Sequence, residues 1–184
     1  MEFLKTKILA AKILLVAMAI PSLGAPSPPA VAEGEYALKA VFVFNFLRFI
    51  DWPATAFSTP EEPIVIGIIG EDPFGPLLRE TVKGESLRGR TIRIDHYRSM
   101  KEISKCHLLF VSRSENKRAG EIIAAVSGKS IVTVGESESF LDRGGMIALT
   151  ADHNRVRLTI NSKTLQAASL DVSSKLLRVA QIRH

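Results

Sequence analysis

Between Glu35 and Ile50 apolar residues crowd a stretch free of Gly and Pro. The spacing predicts a helix, stopped by Asp51-Trp52-Pro53 because the residue before a proline avoids the helical region. Phe42, Phe46 and Phe49 share one face of it, while Val41, Val43, Phe44 and Leu47 make the other side apolar too. A surface helix needs only one apolar stripe, so this one is expected to be covered on most sides, by its own domain or by another chain. Ile64 to Ile69 is an unbroken apolar run with β-branched residues, the mark of a strand buried on both faces. A short helix to about Glu80 follows, with Asp72 as its expected N-cap and Pro73 at its first position. Thr91 to Tyr97 alternates as a half-buried strand, Ser99 to Ser104 reads as a helical turn, and His107 to Val111 as a second buried strand. A helix over 114–125 and a strand over 130–134 complete an alternation of strands and helices, which implies a mostly parallel sheet between helix layers. The pattern then changes. Met146 to Thr150 and Arg155 to Ile160 flank the polar Asp152-His153-Asn154, which predicts an antiparallel β-hairpin. Helices over 162–168 and 173–180 end the chain, the latter capped by Ser173 or Ser174. The expected fold is therefore a single α/β domain.

The first residues follow a different logic. Lys5, Lys7 and Lys12 precede the apolar run Ile13 to Ile20, and small residues lead to Ala30-Val31-Ala32. That is the layout of a secretory signal peptide over residues 1–32, with processing expected after Ala32 and one domain over 33–184. Ala25 to Gly34, rich in Pro and Ala, is expected to be disordered or removed. Export excludes cytosolic chemistry that depends on ATP or NADH. The leader carries three Lys and one Glu, so the formal charge of +5 falls by two to +3 for the remainder. No long Lys/Arg run marks a nucleic-acid site. The single cysteine, Cys106, permits no internal disulfide and reads as a core thiol, with an intermolecular or redox role as the alternative.

Candidate chemistry is sparse. His96, His107, His153 and His184 show no metal-ligand spacing, so neither metal nor cofactor is expected. Gly128-Lys129-Ser130 lacks the earlier glycine of a phosphate loop and precedes a strand instead of following one. No Gly-x-Ser-x-Gly elbow is present, and the pattern offers no positive case for an enzyme. Two binding readings remain. Phe42, Phe46, Phe49 and Trp52 could form a partner or dimer surface, since aromatic anchors dominate interfaces, or they could be core. Alternatively Asp72, beyond the carboxyl end of a strand, could join Arg155 and Arg157 in a small-ligand site.

Several segments, in order, resemble a known family. They are Tyr36-Ala37-Leu38-Lys39-Ala40, Phe46-Leu47-Arg48-Phe49 leading to Trp52-Pro53, and Ile68-Ile69-Gly70-Glu71-Asp72-Pro73-Phe74-Gly75. Gly89-Arg90, Cys106-His107-Leu108-Leu109-Phe110-Val111-Ser112, Phe140 with Gly144-Gly145-Met146-Ile147, Arg157-Leu158-Thr159-Ile160-Asn161 and Ser173 to Ala180 complete the set. The chain thus resembles the YfiR family of exported bacterial proteins. The resemblance implies a dimeric periplasmic repressor. It would hold inactive the periplasmic sensor domain of an inner-membrane diguanylate cyclase, or act on a sensor kinase, with release by an outer-membrane lipoprotein or a redox change raising cyclic-di-GMP and favouring biofilm formation. It also implies disulfides, and here the chain departs from the family: Cys106 has no cysteine partner in Ile66-Gly67-Ile68. Fold-level analogy does not name a partner, and a periplasmic small-ligand receptor without catalysis stands as the alternative.

Overall fold

The computed structural model describes residues 30–103, 105–152 and 155–183. The chain opens with α1 (Ala30–Phe49), which passes directly into the short strand β1 (Ile50–Asp51). The helix starts ahead of the expected processing point, and Ala30 to Gly34 are helical where the composition suggested disorder. The rest of the leader lies outside the described residues. β2 (Ile64–Ile69) leads to α2 (Pro76–Val82), then β3 (Ser86–Leu87) and β4 (Arg90–Tyr97). β5 (Leu108–Val111), α3 (Ala119–Val126), β6 (Val132–Gly135) and α4 (Glu138–Asp142) follow. The hairpin β7 (Ile147–Asp152) and β8 (Arg155–Asn161) is succeeded by α5 (Ser162–Ala167), β9 (Asp171–Val172), α6 (Ser174–Leu177) and β10 (Gln181–Arg183).

Eight strands form one sheet in the order β10-β8-β7-β6-β5-β2-β4-β3. The central pairs from β4 through β7 are parallel, β7 and β8 are antiparallel, and β10 adds in parallel to β8. The apolar run of β2 divides by side-chain alternation. Ile64, Ile66 and Ile68 join the core under α1 and α2, and Val65 and Ile69 the core under α3 and α4. Gly67 falls on the second face, where a Cβ would stand 2.5 Å from the Tyr97 ring. α1 lies against α2, β8 and α6, with Ala40, Val43, Phe46, Leu47 and Ile50 fully buried.

Several expectations need correction. Asp72 is not a helix cap: α2 begins later, with Gly75 at the N-cap and Pro76 at its first position. The Asp72 carboxylate instead accepts the Phe74 N–H at 2.9 Å, closing a local turn. The helix expected over 114–125 is a 3₁₀ stretch, Arg113–Arg118, before α3 takes over. The last helix is only α6, capped by the Ser173 hydroxyl, and the chain then turns into β10. Phe46 is wholly buried in its own chain, so it has no surface to offer a partner. Phe42, Phe49 and Trp52 are half-buried and pack on the same core.

Candidate functional site

The sheet changes direction at β2. The chain leaves β2 toward β4 on one side and returns to β5 on the other. Open α/β sheets bind ligands outside the carboxyl ends of such a strand pair. Here that crevice is filled. Gly70, at φ +92°, presses so close to the segment after β5 that a Cβ would stand 2.4 Å from Ser114 Oγ. The Glu71 N–H donates to the same Oγ at 3.0 Å.

One strand further, a charged cluster joins α1 to the sheet. Glu136 follows β6 and is buried. Its Oε1 accepts from Lys39 Nζ at 2.7 Å and from the Tyr36 hydroxyl at 2.9 Å. Its Oε2 accepts the Arg113 backbone N–H at 2.9 Å. Lys39, fully buried, also pairs with Glu35 Oε1 at 2.5 Å, one helical turn earlier. The Arg113 guanidinium closes the ring of charge, 3.6 Å from Glu35 and 3.8 Å from Glu136. Burial, then the Glu136 charge, pushes the Tyr36 hydroxyl well above its ordinary pKa, so it stays a donor. Each charge is matched by another in the same cluster. The arrangement ties the inner face of α1 to the residue after β6 through buried, paired charges.

Beside this cluster lies a cleft of about 310 Å³ lined by Glu33, Tyr36 and Asp72 to Leu77. Asp72 is thus at a cavity, with its Oδ2 3.0 Å from His96 Nε2. Arg155 and Arg157 are not. They start β8, with β5, β6 and β7 between them and β2, and Arg157 pairs with Asp152. The sequence-derived trio is therefore not one site. Among the described residues, no group of His, Cys, Asp and Glu could hold a metal ion, and no helix is long and apolar enough to cross a membrane.

At the opposite end of the sheet, His107 anchors the segment after β1. Its Nδ1 accepts the Val65 N–H at 3.0 Å, the Phe57 ring stacks on it at 4.4 Å, and Trp52 Nε1 donates to its carbonyl at 3.1 Å. Burial is the main force that lowers the pKa of His107 below 6.5, and nearby Arg90 and Arg93 act the same way, while Glu62 and the Ala56 backbone oppose it. The folded state therefore prefers neutral imidazole, whereas the unfolded chain takes up a proton near 6.5. Stability should be level above that pH and fall as pH drops below it. Thermal melts at pH 7.5 and pH 5 check this, and the drop should be smaller in His107→Asn. An equal drop in both proteins would remove His107 as the cause. Cys106, next in the chain, is buried, and desolvation pushes its thiol up to about 12, so the thiolate needed for redox exchange is scarce.

The described domain can now be compared with known proteins. The profile of the family described as DUF4154, YfiR/HmsC-like, matches residues 36–181. The chain belongs to the YfiR/HmsC-like family. The matched span runs from Tyr36 of the charged cluster to the first residue of β10. At family level this supports a regulator of cyclic-di-GMP signalling in the periplasm. A search of curated proteins finds no match. Among solved structures, a conserved domain protein from Vibrio cholerae O1 biovar El Tor is similar, with a TM-score of 0.56 at 10% identity over 80% of this chain and 59% of that one. The chain thus spans about three fifths of that protein, and the likeness supports the mixed α/β fold alone. A domain from Streptococcus pneumoniae in complex with L-Trp reaches a TM-score of 0.49 at 12% identity, covering 65% of this chain and 55% of that one.

Proposed function

We propose that this YfiR/HmsC-like chain is exported through its leader, residues 1–32. In the periplasm it binds and represses the sensor domain of an inner-membrane diguanylate cyclase or sensor kinase. The observation that carries this reading is the outer face of α1. Leu38 and Val41 are 43% and 45% exposed, with half-buried Phe42, Phe44 and Phe49 beside them. Large apolar side chains grouped on one exposed helix face suit a protein partner, with the aromatics as anchors. The Lys39–Glu136 pair on the inner face supports it, because a helix fixed in rotation presents that surface without paying to order it. Export, the family and the self-satisfied charges of the cluster agree with control by contact.

The test is capture of the tagged protein's partners from the native envelope, read by mass spectrometry. An inner-membrane cyclase or kinase with a periplasmic sensor is the expected catch. Val41→Glu should lower its recovery at least about tenfold, as loss of an interface contact worth more than 1.4 kcal/mol would, without moving the melting temperature. Equal recovery by Val41→Glu, or an empty capture under mild crosslinking, would sink the reading. The small-ligand alternative keeps one observation, the cleft at Asp72.

A further inference from the structure

The sheet ends at β4 in an edge that is only partly closed. β3 covers Arg90 and Thr91 and nothing beyond them. From Ile92 to Tyr97, the outer side of β4 has no strand partner among the described residues. Such a row of free backbone donors and acceptors is a template for another strand. A groove of about 670 Å³ between α2 and β4 runs beside it, with half-buried Ile92 and Ile94 in its wall.

We infer that a second copy of this chain pairs with that edge, β4 against β4, antiparallel about a two-fold axis at Ile94. The charges on the strand select both the occupant and the register. A strand paired antiparallel with itself forms an isologous contact centred on one residue. Centring on Arg93 sets arginine against arginine, and centring on Asp95 sets carboxylate against carboxylate. Centring on Ile94 places Arg93 opposite the partner's Asp95 twice over, with Ile94 on Ile94 and Ile92 opposite His96. Opposite charges directly across a strand pair stabilise it and like charges destabilise it. Within one chain Arg93 already holds Asp95 through two hydrogen bonds of 2.9 Å, so both side chains are on one face and need little reorganisation. The paired segment runs from Ile92 to His96, because the outer edge of Thr91 is already taken by Ser86. Pairing at the sheet's edge uses neither of its faces, so the outer residues of α1 stay available to a different partner.

Sedimentation of the purified chain over a concentration series tests this. The wild type should dimerise. Arg93→Asp and Asp95→Arg should each weaken the dimer about tenfold or more, since each turns two cross-strand ion pairs into repulsions. The exchange Arg93→Asp with Asp95→Arg should restore it. Arg93 is 56% exposed and Asp95 29%, so melting curves first establish that each variant is folded before its dimer is scored. Ile94→Cys should give an oxidised, crosslinked dimer, which the buried Cys106 cannot imitate. A wild type that stays monomeric overturns the inference. So does a dimer indifferent to both single reversals; its interface would lie elsewhere, and capture by Val41→Glu would still judge the α1 surface separately.

Discussion

Lys39→Met should cost about 3–5 kcal/mol of stability, the usual penalty for leaving one member of a buried ion pair without the other. Lys39 and Glu136 are both fully buried, so no water can replace the lost ammonium. The double variant Lys39→Met with Glu136→Gln should be less destabilised than Lys39→Met alone. An amide is cheaper to bury than a carboxylate, and its oxygen can still accept from the Tyr36 hydroxyl. The gain should be partial, because the second Glu136 oxygen also serves the Arg113 N–H. Urea unfolding of the three proteins gives the coupling directly. If the two substitutions are additive, the pair does not act as a unit, and the idea that it fixes the rotation of α1 falls with it. The effect should reach function too. A helix freed to roll would scatter Leu38 and Val41, and partner capture should weaken in the single variant even at temperatures where the domain is folded.

Part of this is legible in the sequence. The run from Ile64 to Ile69 reads as a central strand because both of its faces are covered, and covered faces leave no reason for alternation. The hairpin from Ile147 to Asn161 is equally plain, since only one kind of pairing suits two alternating strands so close in sequence. Within α1, Glu35 and Lys39 stand one turn apart, a spacing that announces an ion pair. That Lys39 is buried was not legible, because its second partner, Glu136, is 97 residues away and reads as a solvated loop acid. The same holds for Arg155, Arg157 and Asp72. Each lies where a ligand contact is plausible, and only the strand order shows them apart. α3 began later than its apolar spacing suggested because the stretch from Arg113 to Arg118 buries no side chain that would favour the wider helix. The last strand, β10, has exposed residues throughout and is made by tertiary pairing with β8, not by any local pattern.

The expected dimer edge and the partner surface make different demands on the domain. The edge of β4 carries matched charges and a short apolar centre, suited to a symmetric contact between copies. The outer face of α1 carries no acidic residue from Tyr36 to Phe49, and its apolar side chains are large. That composition suits a contact made with a different protein, and the two surfaces belong to different elements, a strand edge and a helix. A dimer built at the edge would display two copies of the α1 face, which raises avidity for a dimeric sensor if the spacing matches.

Phe46→Asp should leave no folded domain at all. Phe46 lies at the centre of α1's inner face, within the core that β2, β5, β6 and β8 supply. Truncating a buried phenylalanine to alanine already costs about 3–5 kcal/mol. Aspartate adds the burial of a carboxylate within a cluster of apolar side chains, a further penalty of several kcal/mol unless the group takes up a proton. The sum rivals the whole margin of about 5–15 kcal/mol that keeps a domain folded. Far-UV circular dichroism and solubility decide the matter, with Phe42→Asp as the comparison. Phe42 sits one turn earlier, its ring 6.3 Å from that of Phe46, and is only half-buried. Its variant should fold with a lowered melting temperature and lose partner capture. If Phe46→Asp instead gave a stable, soluble chain that failed only to bind, the inner face of α1 would be open to a partner, and the packing of α1 against the sheet described here would be wrong.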